Sequence, residues 1–491
     1  MAELERAELR TLLHAAAPAF GPRLAAEACA RGLAVTATDG STRPIPITAA
    51  PVILDDDELQ RRAELAALLS SAGVKAARVA LRLPEWRSSV LDALSPLERR
   101  LTEEGGTELA ELATTRVDFF GDGPLAALEL NATIPAMQGY SDIARETLVD
   151  VVGRLAGVDD ATRARWQGAH RSNAAALHRA LLAGYERVRP GHRPARIALL
   201  CRRHDAQLTE LVHLRDRFRT LGTAADVVHP EMLEDRDDAV CFAGQRYDLV
   251  YRHLFVRRLE EPGMPNAAAL VRLFSEENGR RAVLLNPPAS PVEVKAVFAL
   301  LSEAQGADAL SQSLALSDAE RDAVAQAVPW TRRLVGDALV AKVAAEPDRH
   351  VLKRSWDYGG RAVFIGRERD TPAFESRARA AWPEAPPRTW AELCARAALD
   401  ERGGGFVVQE RVELHAQEHR LCHASGVEPA QLFVDFSAYA SVGLDAEPRW
   451  GGVCRGSTSS VVNIVGGGGV LPLLDAAVAR ELGQVLAAMP R

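Results

Sequence analysis

The chain has 491 residues, which is too long for one hydrophobic core and predicts about three domains. Apolar residues make up 47% and charged residues 25% of it, a balance typical of folded globular proteins and not of disordered ones. The net charge of -7, with basic and acidic residues interspersed, argues against nucleic acid or an anionic membrane as a partner.

Helices are predicted for most of the first 110 residues. Two short extended segments, at 33–38 and 44–54, lie between them. The stretch at 55–71 begins with acidic residues and continues with leucines and alanines, which is typical of a helix and its amino terminus.

An antiparallel hairpin is predicted within residues 114–141. Two runs that alternate polar and apolar residues, 116–119 and 128–131, flank a Gly-Asp-Gly turn at 121–123. This hairpin carries the first candidate site.

The polar face of the hairpin joins two carboxylates, an amide and a guanidinium. Residues two apart on a strand point to the same side, so Arg116 and Asp118 share a face, as do Glu129 and Asn131. A tight turn would place Arg116 opposite Glu129 and cluster the four groups. Carboxylate and amide oxygens suit Mg²⁺, and the arginine could bind a phosphate beside them. The alternative is a half-buried hairpin whose polar side faces water.

The middle of the chain alternates strands with helices. Amphipathic helices are predicted between 142 and 184, and this alternation begins after them. The predicted elements are strands at 196–201, 224–229, 247–252 and 281–286 and a helix at 208–221. Such alternation predicts a mostly parallel sheet of about 100 residues.

Two lysines stand out beyond residue 291. Lys295 lies on a predicted helix, and Lys353 lies on a predicted strand before a loop that contains Gly359 and Gly360. Such a loop can direct backbone N–H groups at phosphates while the lysine supplies a positive charge. The spacing matches neither common phosphate-loop pattern, so an exposed strand end is the alternative.

Two later segments are further candidates for ligand binding. The predicted strand at 406–412 contains Gln409, Glu410 and Val412, and an adenine ring could lie on its apolar part. Arg455 precedes a serine-rich run and four glycines, which could form an anion-binding loop. An ordinary polar strand end and a flexible surface turn are the alternatives. Strands near 432–437 and 451–464 and a final helix complete the chain.

The cysteines and histidines do not indicate a zinc site, a disulfide framework or a hydrolase. The six cysteines are scattered without a C-x-x-C pair, and no G-x-S-x-G motif is present. The amino terminus lacks a signal-peptide pattern, and no apolar run is long enough for a membrane span. We therefore expect a cytoplasmic protein.

Together these segments resemble the ATP-grasp ligases. Arg116-x-Asp118 followed by Glu129-Leu-Asn131 resembles the family's magnesium and phosphate motif, which in most members closes the catalytic domain. Here it precedes the α/β segment and the lysine loop. That order is similar to the circularly permuted ATP-grasp proteins, including glutathionylspermidine synthase.

The other segments follow the same order. The resemblance covers most of the chain from about residue 114. Residues 247–252 and 285–295 resemble the family's pre-ATP-grasp domain and its passage into the nucleotide-binding lobe. Residues 351–366 resemble the phosphate-covering loop, and residues 407–412 resemble the hinge that holds adenine. Residues 451–469 resemble the closing segment of the permuted family.

The resemblance implies roles for these residues. Asp118, Glu129 and Asn131 would bind Mg²⁺, and Arg116 and Arg455 would be catalytic, Arg116 by stabilising an acyl phosphate. The residues implied to bind ATP are Lys295, Lys353, Gly359, Gly360, Gln409, Glu410, Val412 and, as a ribose partner, Glu418. Lys342 competes with Lys295 for the role of the first lysine, because the spacer to Lys353 is long for this fold. No amidase-like region with a catalytic cysteine is evident, so the hydrolytic half of the bifunctional relatives should be absent.

We therefore expect an α/β (α+β) protein with a circularly permuted ATP-grasp fold and a pre-ATP-grasp-like α/β domain. The expected parts are an amino-terminal segment with the hairpin (1–150), a helical connection with the α/β domain (151–290) and the nucleotide-binding lobes (291–491). The implied function is ATP-dependent ligation of a small-molecule carboxylate and an amine, with ATP and Mg²⁺ as cofactors and a homodimer as one possible assembly. The alternatives are a non-catalytic ATP-binding regulatory protein and a structural α/β protein with a solvated hairpin.

Overall fold

The computed structural model describes residues 1, 3–105, 112–121, 124–357, 359–444, 450–462, 464 and 468–489. Parts of two predicted features therefore lie outside the described residues: positions 122–123 of the hairpin turn, and Asn463 with two of the four glycines after Arg455. Tyr358, before the loop glycines, is also outside them. None of the described helices is long and apolar enough to cross a membrane.

The first part of the chain is mostly helical, as predicted. The helix predicted at 55–71 is longer than expected and ends at Arg82, because the first proline after its start is Pro84. It begins with a capping box, in which Asp55 accepts a hydrogen bond from the Glu58 N–H and Glu58 accepts one from the Asp55 N–H. The elements are α1 (Glu3–Ala30), β1 (Ala34–Thr36), β2 (Thr42–Pro44), β3 (Ile47–Thr48), β4 (Val52–Leu54), α2 (Asp56–Arg82), α3 (Pro84–Leu91), α4 (Pro96–Glu104), β5 (Leu112–Phe120), β6 (Ala126–Asn131), α5 (Gln138–Leu155), α6 (Asp160–Gly168) and α7 (Asn173–Val188).

The middle of the chain forms the parallel sheet that the alternation predicts. Its four strands lie in the order β13-β12-β7-β8, all parallel. An antiparallel sheet of three short strands, β9 to β11, was not predicted, because three residues are too few to show a periodicity. The elements are β7 (Arg196–Leu200), α8 (Leu208–Thr220), β8 (Ala224–Val228), β9 (Leu233–Asp235), β10 (Val240–Phe242), β11 (Gln245–Tyr247), β12 (Leu249–Arg252), α9 (Ala267–Ser275) and β13 (Val283–Leu285).

The last part contains short helices and most of two further sheets. A four-stranded antiparallel sheet has the order β14-β17-β15-β16, and a seven-stranded sheet has the order β18-β3-β21-β20-β19-β5-β6. The elements are α10 (Ser290–Glu293), α11 (Ala296–Ala304), α12 (Asp308–Leu314), α13 (Asp318–Ala327), β14 (Thr331–Arg333), α14 (Asp337–Ala345), β15 (His350–Arg354), β16 (Val363–Ile365), α15 (Pro372–Ala381), α16 (Trp390–Ala398), β17 (Phe406–Glu410), β18 (Gln417–His423), β19 (Gly426–Val442), β20 (Val453–Ser457), β21 (Gly469–Leu471), β22 (Leu473–Asp475) and α17 (Ala476–Ala487).

The predicted hairpin, β5 and β6, belongs to the seven-stranded sheet. β5 pairs with β19, so that Asp118 lies opposite Ser437 and Arg116 opposite Tyr439. Strands that are more than 300 residues apart in the chain are thus neighbours in one sheet.

The predicted register of the hairpin is wrong by one pair. Arg116 lies opposite Asn131, and Asp118, not Arg116, lies opposite Glu129. The pairing shifts at a bulge between Asp118 and Phe119, which a tight-turn register does not include. The side chains still share faces as predicted, because the bulge lies beyond the two polar pairs.

Asn173, the first residue of α7, connects that helix to the loop before β20. Its side-chain oxygen accepts hydrogen bonds from the N–H groups of Gly451 (2.8 Å) and Gly452 (2.9 Å), and its amide nitrogen donates to the Gly452 carbonyl (2.7 Å). A Cβ at Gly451 would lie 2.4 Å from the Arg171 carbonyl oxygen, so this close approach requires glycine. One buried side chain thus satisfies three buried backbone groups.

Replacing Asn173 by alanine would leave the Gly451 and Gly452 N–H groups without this acceptor, whereas the Gly452 carbonyl would keep its hydrogen bond from Ser141 Oγ (2.8 Å). We expect Asn173→Ala to lower the free energy of unfolding by roughly 2–4 kcal/mol, because each unsatisfied buried group costs about 1–3 kcal/mol. Urea unfolding followed by circular dichroism measures the loss. Gln312→Ala, which removes an exposed amide on α12, is the control and should change little. Equal stability of the two variants would contradict the prediction.

Candidate functional site

A cavity of about 710 Å³, here called the main cavity, lies between the four-stranded and the seven-stranded sheets. β15, β16 and β17 line it from one side, and β5, β6, β19 and β20 from the other. The sequence candidates that line it are Asp118, Glu129, Lys295, Lys353, Gly360, Gln409, Glu410, Val412 and Arg455. Nine of the thirteen candidate residues, distant in sequence, are thus brought to one cavity.

A second cavity of about 390 Å³, the adjoining cavity, lies next to it. Arg116, Asn131 and Gly359 line this cavity, and Glu129, Lys295, Gly360 and Arg455 line both. It opens on the carboxyl ends of the parallel strands through residues that follow β7 (Arg202, Asp205) and β12 (His253). That edge of a parallel sheet is where ligands usually bind.

Both lysines lie near the segment of β6 that carries Glu129. Lys353 Nζ donates to Gln409 Oε1 (2.7 Å) and to the Leu128 carbonyl (3.2 Å). Lys295 Nζ donates to the Asp357 carbonyl (2.9 Å) and lies 3.7 Å from Glu129 Oε2. Because Lys353 is buried, its pKa falls from 10.5 to about 8, although Glu129 opposes the fall. The chain has only four lysines, and two of them line this cavity.

Lys342 does not lie in this site. It is on α14 and its Nζ lies 5.7 Å from the centre of the Trp330 ring, a cation–π distance. It lines neither the main nor the adjoining cavity. Of these two lysines, Lys295 lines both cavities and Lys342 lines neither.

Four charged side chains form a cluster in which Asp118 and Asp435 line the main cavity, Arg116 lines the adjoining cavity and Arg455 lines both. Asp118 accepts from Arg116 Nε (2.7 Å) and Nη2 (3.0 Å) and from Arg455 Nη2 (2.9 Å). Arg455 also donates to both oxygens of Asp435 from its Nε, at 3.0 Å each. Burial alone would raise the pKa of Asp118, but the two guanidiniums hold it below its ordinary value. Burial raises the pKa of Asp435 to about 6, against the opposing effect of Arg455.

Glu129 and Asn131 have oxygens available for a cation. No hydrogen-bond donor within the described part of the chain contacts the Glu129 carboxylate, and its side chain is 37% exposed. Asn131 donates from Nδ2 to the Arg116 carbonyl (3.4 Å), which leaves its oxygen as an acceptor. The guanidiniums occupy three of about four lone-pair positions of Asp118, so it is the least available of the three predicted metal ligands. No cluster of three His, Cys, Asp or Glu side chains in the described ranges could hold a metal ion.

The end of β17 presents backbone groups to the main cavity. The Glu410 N–H donates to the Trp330 carbonyl (2.8 Å), whereas the Val412 N–H has no acceptor among the residues that the structure describes. Val351, Ile365 and Phe433 supply apolar surface nearby. A flat ring with hydrogen-bonding edges fits such a wall.

The glycine loop separates the two cavities. Gly359 and Gly360 have positive φ angles of 67° and 73°, which favour glycine. A Cβ at Gly360 would lie 2.6 Å from Val461 Cγ1, so the loop packs closely on the segment after β20. The two anion-binding loops that the sequence suggests are therefore in contact.

Glu418 lies outside both cavities. It is an exposed residue of β18 and forms an ion pair with Arg420 at 2.7 Å. Glu413, five residues earlier, lines the main cavity instead. Sequence analysis also missed Asp435, although a lone acidic residue in the apolar strand at 432–437 is a detectable signal.

Comparisons with known proteins concern the fold alone. No protein-family model matches the sequence, and none of the curated proteins matches it. The solved structure of a glutathione synthetase-like effector (GSS30) from Globodera pallida in its apo form is similar, with a TM-score of 0.58 and 11% identity over 94% of this chain and 97% of that one. The match to a proposed gamma-glutamylcysteine synthetase from Methylobacillus flagellatus KT has a TM-score of 0.39 and 12% identity over 86% and 96% of the chains, too low to support an argument.

The lowered pKa of Lys353 can be measured directly. Lysine labelled with ¹³C gives four side-chain signals, and Lys353→Arg identifies the relevant one. We expect a pKa of about 8 in the unmodified protein. Glu129→Gln should lower this pKa further, because Glu129 stabilises the charged amine, and Lys295→Met should raise it. Glu418→Gln is the control and should leave it unchanged. A titration near 10.5 would contradict the buried position of the amine.

Proposed function

We propose that this chain is an ATP-dependent carboxylate–amine ligase with a circularly permuted ATP-grasp fold. The observation that carries the proposal is the meeting of two of the four lysines, the glycine loop, the end of β17 and the carboxylate hairpin around the main cavity. The fold shared with a glutathione synthetase-like effector supports it. The product would be an amide or peptide bond, with release of ADP and phosphate.

ATP would lie in the main cavity. Its adenine would bind at the end of β17, with the Val412 N–H as donor and Val351 and Ile365 against the ring. Its phosphates would lie near Lys353 and Lys295, next to Gly360. Glu413 replaces Glu418 as the ribose partner, because it lines the cavity. A phosphate beside Lys353 would supply the counter-charge that the buried amine lacks.

Glu129 and Asn131 would hold Mg²⁺, with Asp118 opposite Glu129 in the register. The cation would supply charge neutralisation for the phosphates. Asp118 has a second role in the proposal, because it fixes the directions of Arg116 and Arg455.

The acid and the amine would occupy the adjoining cavity. A carboxylate oxygen would attack the γ-phosphorus of ATP, forming an acyl phosphate as the bond to ADP breaks. The amine would then attack the acyl carbon, phosphate would leave with the bonding electrons, and the amine proton would pass to solvent. Arg116 and Arg455 line this cavity and would offset the negative charge that develops in both steps.

The place of the hairpin supports the permutation. β5 and β6 extend the sheet that β19 and β20 form, although they precede the parallel sheet and the lysine strand in sequence. In the proposed division, 1–150 therefore supplies part of the catalytic lobe of 291–491, and 151–290 contains the pre-ATP-grasp-like domain.

One observation favours a second candidate, a non-catalytic ATP-binding protein. The Asp118 carboxylate accepts three hydrogen bonds from Arg116 and Arg455, which leaves it little capacity to bind Mg²⁺. A weak metal site would permit ATP binding without ATP turnover. ATP binding and ATP turnover must therefore be tested separately.

Lys353→Met should weaken ATP binding about tenfold or more, which corresponds to roughly 1.4 kcal/mol or more, because it removes a buried charge from the phosphate end of the cavity. Isothermal titration with a non-hydrolysable ATP analogue and Mg²⁺ measures the affinity. Lys342→Met is the matched control and should bind normally, since Lys342 lies outside the cavity. No binding by the unmodified protein would exclude both nucleotide functions.

Glu129→Gln should abolish substrate-stimulated phosphate release and retain part of the analogue binding, because it removes the available carboxylate and keeps the shape of the side chain. A phosphate-release screen with pairs of carboxylic acids and amines, including amino acids and polyamines, measures turnover. Glu418→Gln, an exposed carboxylate outside the cavity, should leave the rate unchanged. If ATP binds but no pair stimulates ADP formation, the non-catalytic function is favoured.

A further inference from the structure

A third cavity, here called the rear cavity, lies behind the seven-stranded sheet. Its volume is about 680 Å³, close to that of the main cavity. β19 lies between the two, since Phe433 lines the main cavity, Val434 and Phe436 line the rear cavity and Asp435 lines both. α1, β4 and α2 contribute the other walls.

Arg62, on α2, lines the rear cavity. Its guanidinium carbon lies 4.6 Å from the centre of the Phe436 ring. No carboxylate in the described ranges is within ion-pair distance of it, whereas Arg116 and Arg455 are both paired with aspartates. Burial lowers the pKa of Arg62, against the opposing effect of Glu58. An anion would remove this cost.

His419 adds a second unpartnered group to the same cavity. It is 2% exposed, and neither ring nitrogen has a hydrogen-bond partner among the described residues. Burial lowers its pKa to about 4, so the ring is neutral at pH 7 and presents one donor and one acceptor. Buried polar atoms in proteins are normally hydrogen-bonded, so these two nitrogens indicate a missing partner.

The remaining walls define the kind of partner. Arg6 and Arg10 line the cavity with Arg62, and Arg6 is paired with Glu58. Of the acidic residues that line it, Glu3 is exposed and Asp435 is held by Arg455. Much of the remaining wall is apolar, including Ile53, Leu54, Phe436 and Leu471. The cavity thus joins a positive edge to an apolar interior.

We propose that the rear cavity is a second ligand site, which binds a small organic carboxylate with an apolar body. The carboxylate would pair with Arg62, whose planar guanidinium matches two carboxylate oxygens, and His419 would bond a polar group further along the ligand. The apolar body would lie on Phe436 and Leu471. The site does not depend on the proposed ligase function, because Arg62 and His419 do not line the main cavity.

The test uses 3-phenylpropionate as the probe and its neutral amide, 3-phenylpropanamide, as the matched ligand. Saturation-transfer NMR on the full chain measures binding without ATP. We expect the carboxylate to bind at least about tenfold more tightly than the amide, since only the carboxylate can pair with Arg62. Equal binding of the two ligands, or no binding of the carboxylate at 10 mM, would overturn the proposal.

Variants locate the bound probe. Arg62→Met keeps the packing on Phe436 and should weaken binding at least about tenfold, whereas Arg61→Met, an exposed neighbour on the same helix, should not. Ala7→Trp changes an exposed residue of α1 at the edge of the cavity and should block entry, which gives a second test if Arg62→Met folds poorly. Loss of binding in Lys353→Met with normal binding in Arg62→Met would assign the probe to the main cavity and refute the second site.

Discussion

Arg455 connects two carboxylates on different strands, Asp118 on β5 and Asp435 on β19, and Arg116 holds Asp118 from the other side. Two positive and two negative groups are thus buried with no net charge. Taking each ion out of water costs several kcal/mol, which only good geometry within the cluster can offset. Loss of one member would leave a charge without its partner. The pairing of β5 with β19 therefore depends on the four side chains keeping these contacts.

The charge of the main cavity follows from this cluster. Because the two arginines and two aspartates neutralise one another, the cluster adds no net charge to the wall of the cavity. Lys295 Nζ lies 3.7 Å from Glu129 Oε2, whereas Lys353 donates to an amide oxygen and a carbonyl and forms no ion pair with a carboxylate among the described residues. The cavity therefore has a buried positive group that a phosphate can pair with, and the neutral cluster beneath it does not compete for that anion.

The sequence predicts the features that local residue patterns determine, but it does not predict those that depend on pairing between distant strands. The parallel strands β7, β8, β12 and β13 were predicted because each is an apolar run followed by a helix or loop signal. The hairpin was predicted, but its register was wrong, because the bulge after Asp118 leaves no local signal. The link between Asp118 and Asp435 depends on β5 pairing with β19, and no local pattern specifies that partner. Glu413 lies in the segment before β18 and lines the main cavity, whereas Glu418 lies within that strand and does not line it, and the sequence does not show where the strand begins.

The same pairing constrains how the chain folds. An isolated two-stranded hairpin is marginal in water, and β5 is buried along its whole length. Its charged residues Arg116 and Asp118 have their third partner, Arg455, more than 330 residues later in the chain. We therefore infer that the first 150 residues cannot reach their final structure alone and that the seven-stranded sheet closes only when β19 and β20 are present. Contacts this distant in sequence form slowly, because the chain must close a long loop before the contacts stabilise it.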